Sequence, residues 1–166
     1  MQYEKPSEKD ISDISILFRK SFLEKKFSKK FSERVISIYL KNPEFSLVAK
    51  DKNEIIGFIY ATDNASKILE KSSFLDKILP NTQSLLVPAK KYRNSAFIIL
   101  NFVDENYRNK GIGSELMKRV INKMNKTSIF CQVDMRNRSS VKMIEKFSIK
   151  LVETHGIFKK YRVYEL

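Results

Sequence analysis

A chain of 166 residues, 42% of them hydrophobic, suits one globular domain burying roughly 70% of its unfolded surface, which excludes a disordered chain. Its single cysteine rules out an intrachain disulfide framework and fits a reducing cytoplasm, its start MQYEKPSEKD has no apolar signal-peptide core, and no apolar run approaches the ~18 residues of a membrane span. The formal charge of +13 favours anionic partners, among them nucleic acid, a ribosome or an anionic membrane surface, yet a composition rich in Lys, Asn, Ile and Ser would scatter lysines with no partner at all.

In chain order, residues 1–6 suit a short strand. Asp10 stands as a cap candidate before Ile11, Ile14, Leu17, Phe18 and Phe22, whose spacing is helical. A lysine-rich connection over 25–30 follows. Ser32 is then placed to cap a second helix bearing Val35, Ile36, Tyr39 and Leu40 and ending near Asn42-Pro43. Residues 45–50 alternate as a strand, 51–53 form a turn, and 54–62 form a second strand, giving a hairpin. Gly57 inside that strand marks a bulge or a close backbone approach.

Residues 63–95 are longer than a connection in a compact domain needs. The pattern predicts a helix over about 66–79 and then an irregular apolar segment. The stretch reads either as a lid or acceptor-binding element, with Leu75, Ile78, Leu79, Leu85, Leu86 and Val87 beside Lys77, Lys90 and Lys91, or as cover for a sheet edge.

The chain is organised around the next unit. Ala96 to Val103 is nearly unbroken apolar sequence, as in a strand buried on both faces. Residues 104–113 are polar and hold two of the four glycines. Ile112, Leu116, Met117, Val120, Ile121 and Met124 then recur at helical spacing. Strand, glycine-bearing loop and helix together present free backbone N–H groups and a positive helix end, an arrangement suited to phosphate. The dinucleotide fingerprint fails, because its third glycine falls on Leu116, and the nucleotide-triphosphate loop fails for want of Gly-Lys-Ser/Thr. Beyond it lie a strand over 127–135, a helix from Ser139 to about Lys150 behind Asn137, and two closing strands over 151–154 and 158–165 with His155-Gly156 in the turn between them.

The loop itself reads Arg108-Asn109-Lys110-Gly111-Ile112-Gly113, that is Arg-x-x-Gly-x-Gly, with Val103-Asp104 before it and Leu116 after it. This resembles motif A of the GNAT superfamily of N-acyltransferases, and residues 133–149 resemble its motif B. The resemblance is carried by residues 96–150, and elsewhere by element order alone. It implies an α/β (α+β) fold: a mixed, mostly antiparallel twisted sheet of about six or seven strands flanked by helices, with a helical insertion between the third and fourth strands. It also implies one acyltransferase domain over 1–166, transferring an acetyl or other short acyl group from acetyl-coenzyme A to a primary amine of a small molecule, peptide or protein. The implied cofactor contacts are Phe102, Val103, Arg108, Asn109, Lys110, Gly111, Ile112, Gly113, Ser114 and Asn137. Both glycines, Gly111 and Gly113, are expected to let the backbone come close and adopt unusual dihedrals. Coenzyme A is itself a polyanion and accounts for a share of the positive charge.

The chemistry of acyl transfer needs a base and an acid. Asp104 and Glu105, at the end of the central strand, are the base candidates, beside a turn or capping role or a relay through water; Asn101 cannot take a proton. The family's tyrosine in motif B falls on Ile144, its small residue on Ser140 and its glycine on Ser148. Tyr161 and Tyr164 on the last strand remain as acid candidates beside ordinary sheet roles. His155 with no cysteine or carboxylate cluster makes no metal site, and Cys131 reads as a core residue. Two other readings stay open: a coenzyme-A-binding regulatory domain with little catalysis, and a basic protein associated with nucleic acid or the ribosome. Monomer and homodimer are both compatible with the sequence.

Overall fold

The computed structural model describes residues 1–21, 27–41, 43–66, 92, 94–126, 128–148, 150–155 and 161–166. Their elements are β1 (Gln2–Glu4), a 3-10 turn (Glu8–Asp10), α1 (Ile11–Ser21), α2 (Lys29–Leu40), β2 (Phe45–Asp51), β3 (Glu54–Thr62), β4 (Ala96–Val103), a second 3-10 turn (Glu105–Tyr107), α3 (Ile112–Met124), β5 (Ile129–Asp134), α4 (Arg138–Ile144), β6 (Lys150–His155) and β7 (Tyr161–Glu165). The strands form one seven-stranded sheet in the order β1-β2-β3-β4-β5-β7-β6, mostly antiparallel, with β4 and β5 parallel. That parallel ladder joins Ala96–Ile98 to Ile129–Cys131. The mixed sheet flanked by helices is the expected architecture. The expected insertion helix, with Lys77, Lys90 and Lys91, lies outside the described residues.

Two compact units divide the chain: residues 1–61 with 100–124, and residues 62–99 with 125–166. In the first unit β2 and β3 form a hairpin around Lys52 and Asn53, both left-handed at φ 47° and 70°. Two left-handed central residues give the twist that a two-residue hairpin turn needs, and Asn tolerates that region better than most residues. The ladder register shifts between Ala49 and Lys50, so that Ile56 has no opposite number. The Ile56 carbonyl accepts instead from the Asp104 N–H at 2.8 Å, which fixes the far end of β4.

Helices pack on both faces of this part of the sheet. On one face the Tyr39 ring of α2 lies 4.7 Å from Tyr60 on β3, and Phe18 of α1 meets Phe102 of β4 edge-on at 6.0 Å. On the other face α3 comes down on β3 where Gly57 has no side chain. A Cβ there would stand 3.1 Å from Leu116 Cδ1, 3.3 Å from Ile112 Cγ2 and 3.4 Å from Ala49 Cβ. Gly57 is therefore a close approach, one of the two expectations for it, and the register shift beside it is the other. Leu116, Met117 and Val120 are buried beneath that contact.

Two expected caps are corrected. The Asp10 carboxylate is taken up upstream, accepting from the Ser7 N–H at 2.7 Å and hydroxyl at 2.8 Å and pairing with Lys50 at 3.0 Å. The cap of α2 is Ser28, whose side chain accepts from the Phe31 N–H, while Ser32 is buried inside the helix with its hydroxyl on the Ser28 carbonyl. Both serines lie four apart on one face, so the spacing alone does not choose between them.

The second unit is built on Phe97, Phe130, Val163 and Ala65, with Tyr92 stacked on Phe130 at 4.4 Å. Cys131 is a core residue as expected; burial outweighs a hydrogen bond from Tyr164 and pushes its thiol up to about 12. The helix behind Asn137 is shorter than its periodicity suggests. It ends at Ile144, whose carbonyl accepts from both Phe147 and Ser148 at 2.9 Å, tightening the exit into a turn. His155 ends β6 opposite Tyr161 rather than lying in the turn, because the antiparallel ladder runs one pair further.

Asp104 ties α1 to the end of β4. One carboxylate oxygen accepts from the Asn106 N–H at 3.0 Å and the other from Lys20 at 3.1 Å. Burial alone would raise its pKa, but the Asn106 amide, the Lys20 ammonium and the nearby Arg108 hold it below the usual carboxylate value. A carboxyl depressed in the folded state stabilises the protein above the unfolded value of about 4, and that stabilisation is lost as pH falls through the folded one. Asp104→Asn keeps the cap acceptor and removes the charge. Half-exposed Lys20 limits the cost to under about 1 kcal/mol at pH 7. In a urea-denaturation series the difference from wild type is expected to shrink to nothing in acid; a constant difference would place the effect elsewhere. At the close approach, Gly57→Val is expected to cost about 1–3 kcal/mol by overpacking, read as a lower urea midpoint at unchanged m.

Candidate functional site

The segment between β4 and α3 is held by its own side chains and by the neighbouring hairpin. Asp104 caps the 3-10 turn Glu105–Tyr107. The Tyr107 hydroxyl then donates to Asp51 at 3.3 Å, and the Lys110 ammonium lies 4.9 Å over the Tyr107 ring. Arg108 folds back, its Nε donating to the Val103 carbonyl at 3.3 Å. These contacts fix the loop against the hairpin turn and the strand end. The backbone turns at Asn109, φ 63°, and again at Gly111, φ 79°.

The outcome is a row of backbone donors. The N–H groups of Asn109, Lys110, Gly111, Ile112, Gly113 and Ser114 have no acceptor among the described residues, and the first amide bonded back is that of Glu115, to the Gly111 carbonyl at 2.9 Å. Four of the six, from Gly111 to Ser114, are the orphan donors every helix start leaves, and there the helix dipole is positive. Left-handed residues in the loop add a concave run of amides, which is an anion-binding geometry. A Cβ on Gly111 would meet no atom of the described residues within 4 Å, so its glycine is required by the positive φ and not by crowding.

The expectation of unusual dihedrals at both glycines needs correction. Gly111 alone of the two has positive φ, and the second left-handed residue of the loop is Asn109. Gly113 lies within the first turn of α3, and its carbonyl accepts from Asn101 Nδ2 at 3.1 Å. In the sequence Asn101 reads only as a side chain that cannot take a proton, which leaves its hold on Gly113 unseen. The available signal was a lone amide in an otherwise apolar strand.

The first unit thus brings together Phe102, Val103, Asp104, Glu105 and residues 108–114. Phe102 is buried against Phe18 and Phe58, while Glu105 is exposed and its carboxylate has no partner among the described residues. The other candidates lie in the second unit. Asn137 caps α4, accepting from the Ser140 N–H at 3.1 Å and the Ser139 hydroxyl at 3.0 Å. Ile144 is buried. Tyr164 donates to Glu145 at 3.1 Å and accepts from Arg162 at 3.2 Å. Burial raises its pKa, the Arg162 hydrogen bond opposes that, and Glu145 adds to it, so the phenol stays protonated at neutral pH. Tyr161 stands at the start of β7, opposite Asp134 of β5. No group of three metal-binding side chains occurs among the described residues, and no described helix is long and apolar enough to cross a membrane.

Solved structures similar in fold include an N-acetyltransferase from Staphylococcus aureus Mu50, at TM-score 0.72 and 15% identity with 100% of each chain covered. A ribosomal-protein-alanine N-acetyltransferase from Brucella melitensis matches at TM-score 0.66 and 13% identity, covering 99% of this chain and 96% of that one. The diaminobutyrate acetyltransferase EctA from Paenibacillus lautus, solved with L-2,4-diaminobutyric acid and coenzyme A, matches at TM-score 0.64 and 12% identity, covering 99% of this chain and 92% of that one. Among curated proteins no sequence match was found. The family model described as Acetyltransferase (GNAT) family matches residues 11–148, a span that takes in the row of free amides and elements of both units. The protein therefore belongs to the GNAT family of acetyltransferases.

Proposed function

We propose that the protein transfers an acetyl or other short acyl group from acetyl-coenzyme A to a primary amine, by direct attack in a ternary complex, with both units acting as one acyltransferase domain. The observation that carries this reading is the run of six amides at the start of α3 without acceptors among the described residues. A diphosphate is the ligand such a row suits, since each oxygen can take more than one N–H and the dipole adds attraction. Arg108 and Lys110, both exposed, add charge at the rim. Backbone N–H groups of Phe102 and Val103 are the candidates for polarising the acyl carbonyl. Bound acetyl-coenzyme A supplies the activated acyl group; the chain's own residues hold it, keep the amine in place and manage protons.

For the base, the two carboxylates differ. Asp104 is committed to its cap and to Lys20, and its depressed pKa makes it a weak proton acceptor. Glu105 is exposed and unpaired among the described residues, so it is the better candidate, directly or through water. For the acid, Ile144 at the motif's tyrosine position cannot donate. Tyr161 and Tyr164 are the phenols of β7, and the Tyr164 proton is already engaged with Glu145. The acceptor belongs to the amine class shared by relatives as different as a diaminobutyrate and a ribosomal-protein acetyltransferase. The single buried cysteine supports work in a reducing compartment such as the cytoplasm.

Buried Ile144 favours one second reading, a coenzyme-A-binding domain with little turnover. Coupled release of coenzyme A thiol over a panel of amines separates the two: turnover with any amine supports the enzyme, and tight binding without turnover on all of them supports the sensor. Ile144→Ala is expected to cost about 2–5 kcal/mol of stability, with turnover per folded molecule unchanged. Gly111→Val puts a β-branched residue at positive φ and is expected to weaken acetyl-coenzyme A binding by about tenfold or more in calorimetry. Wild-type affinity in that variant would sink the phosphate reading of the loop.

A further inference from the structure

Asn101 is the single polar side chain in the strand AFIILNFV, set between buried Leu100 and Phe102. Its Nδ2 donates to the Gly113 carbonyl at 3.1 Å. Its Oδ1 is buried and has no hydrogen-bond partner among the described residues. A leucine of similar size would fill the position without an orphan acceptor, so an amide here is a burden on folding.

The bond lands on a particular peptide group. The Gly113 carbonyl and the Ser114 N–H belong to one peptide unit, and the Ser114 N–H is the last of the six amides that find no acceptor among the described residues. A donor on a carbonyl oxygen polarises its peptide group and makes the N–H on the other side a stronger donor. The same bond joins the first turn of α3 to β4, fixing the direction in which that N–H points. We propose that Asn101 is a positioning residue for anion recognition, holding and polarising the Gly113–Ser114 peptide so that the Ser114 N–H meets a phosphate oxygen of the acyl donor. This rests on the reading of the loop as a coenzyme A diphosphate site. Its rival is a plain structural tie between strand and helix.

The two separate on variants that remove the donor but move stability in opposite directions. Asn101→Leu removes the orphan acceptor and fills the space, and is expected to melt at or above the wild-type temperature. Asn101→Ala leaves a void and is expected to melt below it. Both lose the donor, so both are expected to bind coenzyme A about fivefold more weakly in calorimetry, by the same factor. In amide NMR spectra of the ligand-free protein, the Ser114 proton is expected to move upfield in both variants while the Asn109 proton stays. Affinities that follow the melting temperatures, or an Asn101→Leu protein that binds coenzyme A as wild type does, would overturn the proposal. Should Asn101→Leu fail to fold, Asn101→Ala with the Ser114 shift decides alone. Gly111→Val serves as the control. If it weakens binding and the Asn101 variants do not, the diphosphate reading stands and this inference fails. Wild-type protein that does not bind coenzyme A overturns both.

Discussion

The first turn of α3 can stand where it does because β3 presents a backbone with no side chain at Gly57. Ile112 and Leu116 reach within 3.1–3.3 Å of where a Cβ would be, closer than a packed methyl ordinarily permits. Ile112 is also the first residue of the helix, so the contact that seats the helix sets the height of its free amides. The Asn101–Gly113 bond secures the same turn from β4, and the Ile56 carbonyl holds the Asp104 N–H at the strand end. The loop between them is secured through Asp51, Tyr107 and Val103 on its other side. Six amides stay unpaired among the described residues, because the loop is secured through side chains and carbonyls and not through these N–H groups. A rigid scaffold that leaves donors free at one place is how a site avoids reorganising when its ligand arrives.

Electrostatics at the loop follow the same division. Asp104 is the nearest carboxylate to the strand end, and Lys20 and the Asn106 amide absorb its charge. Arg108 and Lys110 are then left as the charges at the loop surface beside the amides, with exposed Glu105 set before them. Over the whole chain 32 basic residues face 19 acidic ones. A field of that sign raises the encounter rate with any polyanion and falls with salt, whereas the amide row acts only at contact.

Much of this was legible in the sequence, because the informative patterns were local. The β3 boundaries at Glu54 and Thr62, the whole of β4, the start of α3 and the hairpin turn all follow from period, apolar runs and turn chemistry. What escaped was decided by partners distant in sequence or by competition between equals. Lys20 and Asp104 are 84 positions apart, and nothing near either announces the other. Ser28 and Ser32 offer the same chemistry one helical turn apart. Asp10 carries the right side chain for a cap and spends it on Ser7 and Lys50. Gly113 shares a motif with Gly111 yet has ordinary helical geometry, since a tight turn needs only one residue of positive φ where Asn109 supplies another. The catalytic groups stayed open for a different reason: acyl transfer from a thioester asks more of backbone than of side chains, and backbone leaves no residue type to read.

Cys131 carries a last consequence. An acyltransferase that uses coenzyme A discharges a thiol at every turnover, and that thiol exchanges with any accessible disulfide or oxidised cysteine. Such exchange requires a thiolate. The Cys131 sulfur is buried in β5 with its pKa pushed up to about 12, so at neutral pH the folded protein offers almost none. A sulfur held in that state is a poor partner for thiol–disulfide exchange with an oxidised thiol such as cystine or glutathione disulfide. The one cysteine of the chain is thus shielded by the strand that carries it.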